Sequence, residues 1–266
     1  MLVKTESSYE AYQTHHVFEE INYMMDYYER VSFSSFSFVP TGTNGIANYA
    51  SYIYLSLKGT LDSIRLVMKA GQLSDAYALI RKFFDDVLVD IYLDIVRKDK
   101  FDWMKSIIVK DVDEWLRGKH RIPKVERILK VMKESPTSKG LYPFFGWDSY
   151  LKHNRTILDD NVHANRYASI LLNCRDVEFG DRVKTLDGAS IILKQVFTIH
   201  LAFIFFLNGQ FMMASDYIDS LEIGITPPEG SENWIAPFAQ DAFDKYIKPN
   251  KPLANFIKEH CPLGIE

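Results

Sequence analysis

Between His153 and Arg166 the chain packs two histidines, two arginines, two carboxylates and three asparagines into fourteen residues. Histidine titrates near neutrality, so it can take a proton and give it back within one reaction. Arginine presents a fixed fork of donors to a phosphate or a developing oxyanion. The pair with the most chemistry is Arg155 and His163, eight positions apart. A continuous helix would set them two turns apart and roughly 80° round the axis. A kink at Asp159 to Asn161 would turn them together. Asp160, Asn161 and Asn165 are candidate supporting groups, while Arg166 and Arg81 are candidate anion-binding groups. The competing reading is a polar helix–helix junction, with Asp160 or Asn161 as an N-cap and His163 hydrogen-bonded in the interface.

Weaker constellations frame this one. Arg81 and Asp85 stand at i and i+4, the spacing of an ordinary helical ion pair. His16 and Glu20 share a helical face as metal ligands would. With no second pair at matching spacing, the stretch from His15 to Glu20 reads as a solvated helix start, and no metal or cofactor is expected. The chain has no Gly-rich phosphate loop ending in Lys-Ser/Thr, no G-x-G-x-x-G, no H-E-x-x-H and no G-x-S-x-G.

The elements that must position these residues are helical. Apolar residues recur at three and four positions from Ser7 to Val31, Ile46 to Ala70 and Asp75 to Arg97. Ser32 to Gly45 breaks the pattern and reads as a loop. Gly71 stops the second helix and Ser74 caps the third, so residues 46–98 form a hairpin of two long antiparallel helices. Phe101 to Gly118 and Pro123 to Glu134 read as shorter helices. The site region, 147–173, reads as helices Trp147 to Leu158 and Val162 to Asn173, interrupted at Asp159 to Asn161. Residues 189–248 hold a buried helix bent near Asn208 and a last helix from Ser231 to Lys248, followed by a Pro-rich tail. No internal repeat or linker appears, so the expectation is an all-α, single-domain helical bundle over 1–266.

A helical hairpin bearing Arg81, followed by the Arg155…His163 pair, resembles the HEPN superfamily of prokaryotic defence and toxin proteins. The run Leu79-Ile-Arg-Lys-Phe-Phe-Asp85 is similar to one in helical relatives of that group. The resemblance covers roughly Ile46 to Asn173, and seven residues separate Arg155 from His163, a longer interval than that family's usual one. The resemblance implies a metal-independent ribonuclease, or an inactive relative, acting on RNA as a homodimer with a composite cleft. His163 would then move the proton of the 2′-hydroxyl or the leaving oxygen, and Arg155 would stabilise the phosphate. Two other classes fit the residues. One is an interaction protein that binds a partner protein through aromatic loops, Phe33 to Phe38 and Tyr142 to Phe145. The other is a nucleotide or small-anion sensor using Arg81 and Arg155.

Composition bounds these readings. Of 266 residues, 47% are hydrophobic and 14% aromatic, which supports a large packed core. Two cysteines, Cys174 and Cys261, match no disulfide or zinc spacing, which fits a reducing cytoplasm. The apolar run Val196–Leu207 falls short of the roughly 20 residues of a spanning helix, so no membrane is expected. Between Arg97 and Glu134 stand 12 Lys and Arg against 7 Asp and Glu, on a chain of net charge −4. That segment is either an anion-binding face or a solvated hairpin of mixed charge.

Overall fold

The computed structural model describes residues 10–37, 49–101, 109–174 and 181–266. Among them the chain is all-α, with no strand beyond an isolated bridge between Met213 and Ile235. In chain order the helices are α1 (Glu10–Gln13), α2 (Val17–Ser37), α3 (Tyr49–Lys69), α4 (Leu73–Lys100), α5 (Lys110–Leu116) and α6 (Val125–Glu134). Then follow α7 (Tyr150–Val162), α8 (Tyr167–Leu171), α9 (Arg182–Asn208), α10 (Asp216–Glu222), α11 (Pro237–Ala242) and α12 (Lys251–His260). They group into two compact units. The first is drawn from Met1–Tyr28, Leu55–Val87 and Phe145–Phe197, the second from Glu29–Tyr54, Leu88–Phe144 and Thr198–Glu266.

In the first unit the apolar stripes meet in a core where Tyr27, Tyr28, Phe83 and Phe197 pack edge to face, with ring centroids 5.2–6.1 Å apart. Such contacts add to the area the rings bury. The turn after α3 is the one expected. Gly71 sits at φ 79°, its N–H donating to Met68 O and that of Gln72 to Val67 O, the closure that left-handed glycine makes cheap. Lys82 Nζ then donates to Thr60 Oγ1 at 3.2 Å. Ser74 is not the cap of α4, because the helix already begins at Leu73. Asn173 takes that part, accepting from Asp75 N–H at 3.1 Å while its amide donates to the Asp75 carboxylate.

Arg182, at the start of α9, is 1% exposed. It donates to Gly71 O at 3.0 Å, Leu172 O at 3.3 Å and Cys174 O at 2.9 Å. One guanidinium thus satisfies carbonyls just beyond the C-terminal ends of α3 and α8, where helices leave carbonyls without intrahelical partners.

In the second unit the expected loop after Val31 is helix as far as Ser37. Serine is a modest helix former, but Ser32 Oγ donates to Ser51 O at 3.0 Å and Ser35 Oγ meets Ser51 Oγ at 2.7 Å. Tertiary hydrogen bonds therefore override local preference; residues 38–48 lie outside the described set. The last helix expected, Ser231 to Lys248, is instead a short turn, α11 and a π-turn over Phe243–Ile247. The Pro-rich tail forms α12, since Pro252 falls in its first turn, where the missing N–H costs no helical bond. α5 and α6 carry the basic segment, with Lys110–Glu114, Arg117–Asp113 and Lys130–Glu134 pairs one turn apart; residues 102–108 lie outside the described set. Finally, Arg182–Met212 is by length and composition apolar enough to cross a membrane, and 72% of its most apolar window is buried within the protein.

Candidate functional site: the turn between α7 and α8

α7 runs unbroken through Asp159, Asp160 and Asn161 and ends at Val162. The break falls four residues later than the polar run suggests. His163 caps the helix, its N–H still donating to Asp159 O at 3.0 Å. Ala164 then takes φ 48°, the one non-glycine with positive φ among the described residues, a conformation that costs a side-chain-bearing residue about 1 kcal/mol. Asp160 holds the turn in that shape. Its backbone carbonyl accepts from Asn165 N–H at 3.1 Å. Its carboxylate accepts from Asn165 Nδ2 at 3.3 Å and pairs with Arg166 Nε at 2.8 Å.

Of the residues singled out from the sequence, His163, Asp160, Asn165 and Arg166 are therefore brought into one turn. His163, Asn165, Arg166 and Tyr167 are all exposed, Tyr167 to 73%. Asn161 lies on the last turn of α7 and donates to Ile157 O within its own helix.

Arg155 and His163 are not brought together within the chain. Eight residues of unkinked helix separate them by about 12 Å along the axis. Arg155 instead joins Arg81 in an alternating network between α7 and α4. Arg155 pairs with Asp85 at 2.9 Å, Arg81 Nε with Asp159 at 2.6 Å, and Arg81 also pairs with Asp85. Two guanidiniums here meet two carboxylates. Both guanidiniums are also largely shielded from solvent, 12% and 22% exposed at the side chain, so a bound anion would have to displace a partner inside the α4–α7 contact, which disfavours Arg81 and Arg155 as clamps.

The aromatic loops divide. Tyr142 is buried, Phe144 packs on Phe256 at 5.3 Å and Phe145 on Trp147 at 6.0 Å. Phe33 is exposed on α2, and Phe38 lies outside the described residues. The His15–His16 stretch is not simply solvated either. His15 is 8% exposed, its Nδ1 accepts from Val17 N–H at 3.2 Å, and its Nε2 bonds Asp187 at 3.1 Å.

A second polar cluster, in the second unit, was not singled out from the sequence. His200 and Asp90 are both almost wholly buried and bonded at 2.8 Å. Beside them Asp94 accepts from Tyr49 at 3.2 Å, from Arg97 at 3.1 Å and from Asn208. Arg97 also donates to Asn208 Oδ1 at 2.6 Å. The signal for it was present. Asp90 and Asp94 stand one turn apart in an apolar helix, and His200 interrupts the apolar run of α9. Burial, reinforced by the neighbouring Asp90 charge, pushes the Asp94 carboxyl up to about 6 against the pull of Arg97 and Asn208. A folded-state pKa above the unfolded one means the native state holds the proton more tightly. The stability this contributes is fully present below about pH 4 and is lost as pH rises through 6, on the order of 2–3 kcal/mol. Asp94→Asn removes that titration. The denaturation midpoint of the variant relative to wild type is therefore expected to climb between pH 4.5 and 7. A difference that stays flat across this window would contradict the assignment.

No protein-family model, no curated protein and no solved structure matches the chain, so the chemistry of the α7–α8 turn rests on its own residues.

Proposed function

We propose that the protein is an RNA-targeting effector of the HEPN-like kind, a metal-independent ribonuclease working through the α7–α8 turn. One observation carries this reading. An imidazole, a guanidinium, a carboxamide and an aromatic ring lie exposed on five consecutive residues that Asp160 holds in a fixed, left-handed turn. Each suits single-stranded RNA. Tyr167 offers a face on which an unpaired base stacks, and Arg166 a cation for the backbone. His163 makes no hydrogen bond through its ring among the described residues, so it is at liberty to take the 2′-hydroxyl proton. The attacking 2′-oxygen then closes on the phosphorus as the bond to the 5′-oxygen breaks, leaving a 2′,3′-cyclic phosphate and a 5′-hydroxyl that takes its proton from water, while the charge that builds on the phosphate is met by the exposed end of Arg166.

Binding tests the surface independently of cleavage. Fluorescence anisotropy with a labelled single-stranded RNA is expected to show Arg166→Ala and Tyr167→Ala each weakening binding about tenfold, the effect of one lost stacking or phosphate contact. Affinity unchanged in both variants, or no affinity in the wild-type protein, would refute the reading.

A further inference from the structure

We propose that His15, His16 and Asp187 form a binding site for one borderline divalent transition-metal ion, of which Zn(II) is the natural probe. One ligand atom from each residue lies within 4.8 Å of the other two. Four ligands around a tetrahedral zinc stand about 3.4 Å from one another, so small side-chain rotations complete the set. The three residues come from two stretches far apart in the sequence. His15 and His16 immediately precede α2, with ring centroids 4.2 Å apart, and Asp187 stands near the start of α9.

The positions are built rather than incidental. His15 is buried, and its Nε2 already addresses Asp187 Oδ1 at 3.1 Å. His16 Nε2 lies 3.3 Å from Ser190 Oγ and 3.8 Å from Glu20 Oε1. Glu20 is occupied by Ser190 at 2.6 Å and Lys194 at 3.1 Å, so it stands as an outer carboxylate and leaves the fourth position to water. Two imidazoles with one carboxylate suit a borderline ion, whereas magnesium and calcium prefer oxygen ligands throughout.

Binding has a defined proton balance. His15 Nδ1 now accepts from Val17 N–H, so the ring proton sits on Nε2 and is donated to Asp187. When the ion takes the Nε2 lone pair, that proton moves to Nδ1 and Val17 N–H gives up its acceptor. No charge is created on the ring and no redox partner is needed. The ion would pin the start of α2 to α9. It shares no residue with the α7–α8 turn and does not rest on that turn's function.

Calorimetric titration of the chelator-stripped protein with Zn(II) tests this, alongside thermal unfolding with and without the ion. The wild-type chain is expected to take up one equivalent and to unfold several degrees higher when loaded. His16→Ala and Asp187→Asn, both at exposed positions, are expected to unfold like wild type without zinc and to bind it at least about tenfold more weakly. No saturable uptake by the wild type, or equal uptake by both variants, would overturn the proposal.

Discussion

Arg182→Ala is expected to lower the stability of the protein by about 2–4 kcal/mol, the cost of leaving buried backbone acceptors without their charged donor. The residue is 1% exposed, so truncation leaves a void the size of a long side chain as well as unmet polar groups. Gly71 O and Cys174 O lose a charge-assisted donor, while Leu172 O loses one and keeps Leu73 N–H at 3.3 Å. Each buried acceptor left without a partner costs about 1–3 kcal/mol, and water entering the void offsets part of the sum. Arg182→Lys should recover less than half of the loss. It keeps the charge but presents a single ammonium where a planar fork now spans carbonyls from two helix ends. Urea unfolding at unchanged m-value is the measurement. A midpoint shift equivalent to less than about 1 kcal/mol for Arg182→Ala would mean the carbonyls find other donors.

Arg182 also shows where sequence reading stops. The helical class was legible because apolar spacing is local, and so was the turn at Gly71, which needs only one residue of special backbone freedom. Nothing near Arg182 in the sequence announces that it will close a turn more than a hundred positions away. The same holds for Asn173 capping α4 from 98 residues downstream, where Ser74 looked like the local solution. Ser32 and Ser35 read as a loop because serine competes with helical bonding; their partner Ser51 lies on another helix. The site region misled in a different way. Asp159-Asp160-Asn161 looks like a break, yet three polar residues continue a helix readily when each has a partner within reach. The actual reversal is at Ala164, a residue with no intrinsic preference for the left-handed region. That displacement separates Arg155 from His163 and gathers His163 with Arg166 instead. Two members of the His15–His16–Asp187 set were visible and the third was not, because Asp187 lies 172 residues from His15.

The largest effect expected anywhere in the molecule is on catalysis. His163→Ala is expected to reduce RNA cleavage by about 10²–10⁴-fold, the usual worth of a positioned general acid–base group. Stability should hardly change, since His163 is exposed and its ring bonds nothing among the described residues. Arg166→Ala should reduce cleavage through the loss of charge beside the phosphate. Arg155→Ala distinguishes this arrangement from one in which Arg155 stabilises the phosphate, because Arg155 is already engaged by Asp85. It should weaken the α4–α7 contact and leave the chemical step close to wild type.

The central claim is therefore tested most directly by cleavage of cellular RNA in EDTA, under single turnover, by folded wild-type, His163→Ala and Arg155→Ala proteins. The account predicts cutting by the wild type and by Arg155→Ala, and loss of cutting in His163→Ala. Cutting by His163→Ala at the wild-type rate, or no cutting by the wild type at all, would contradict it.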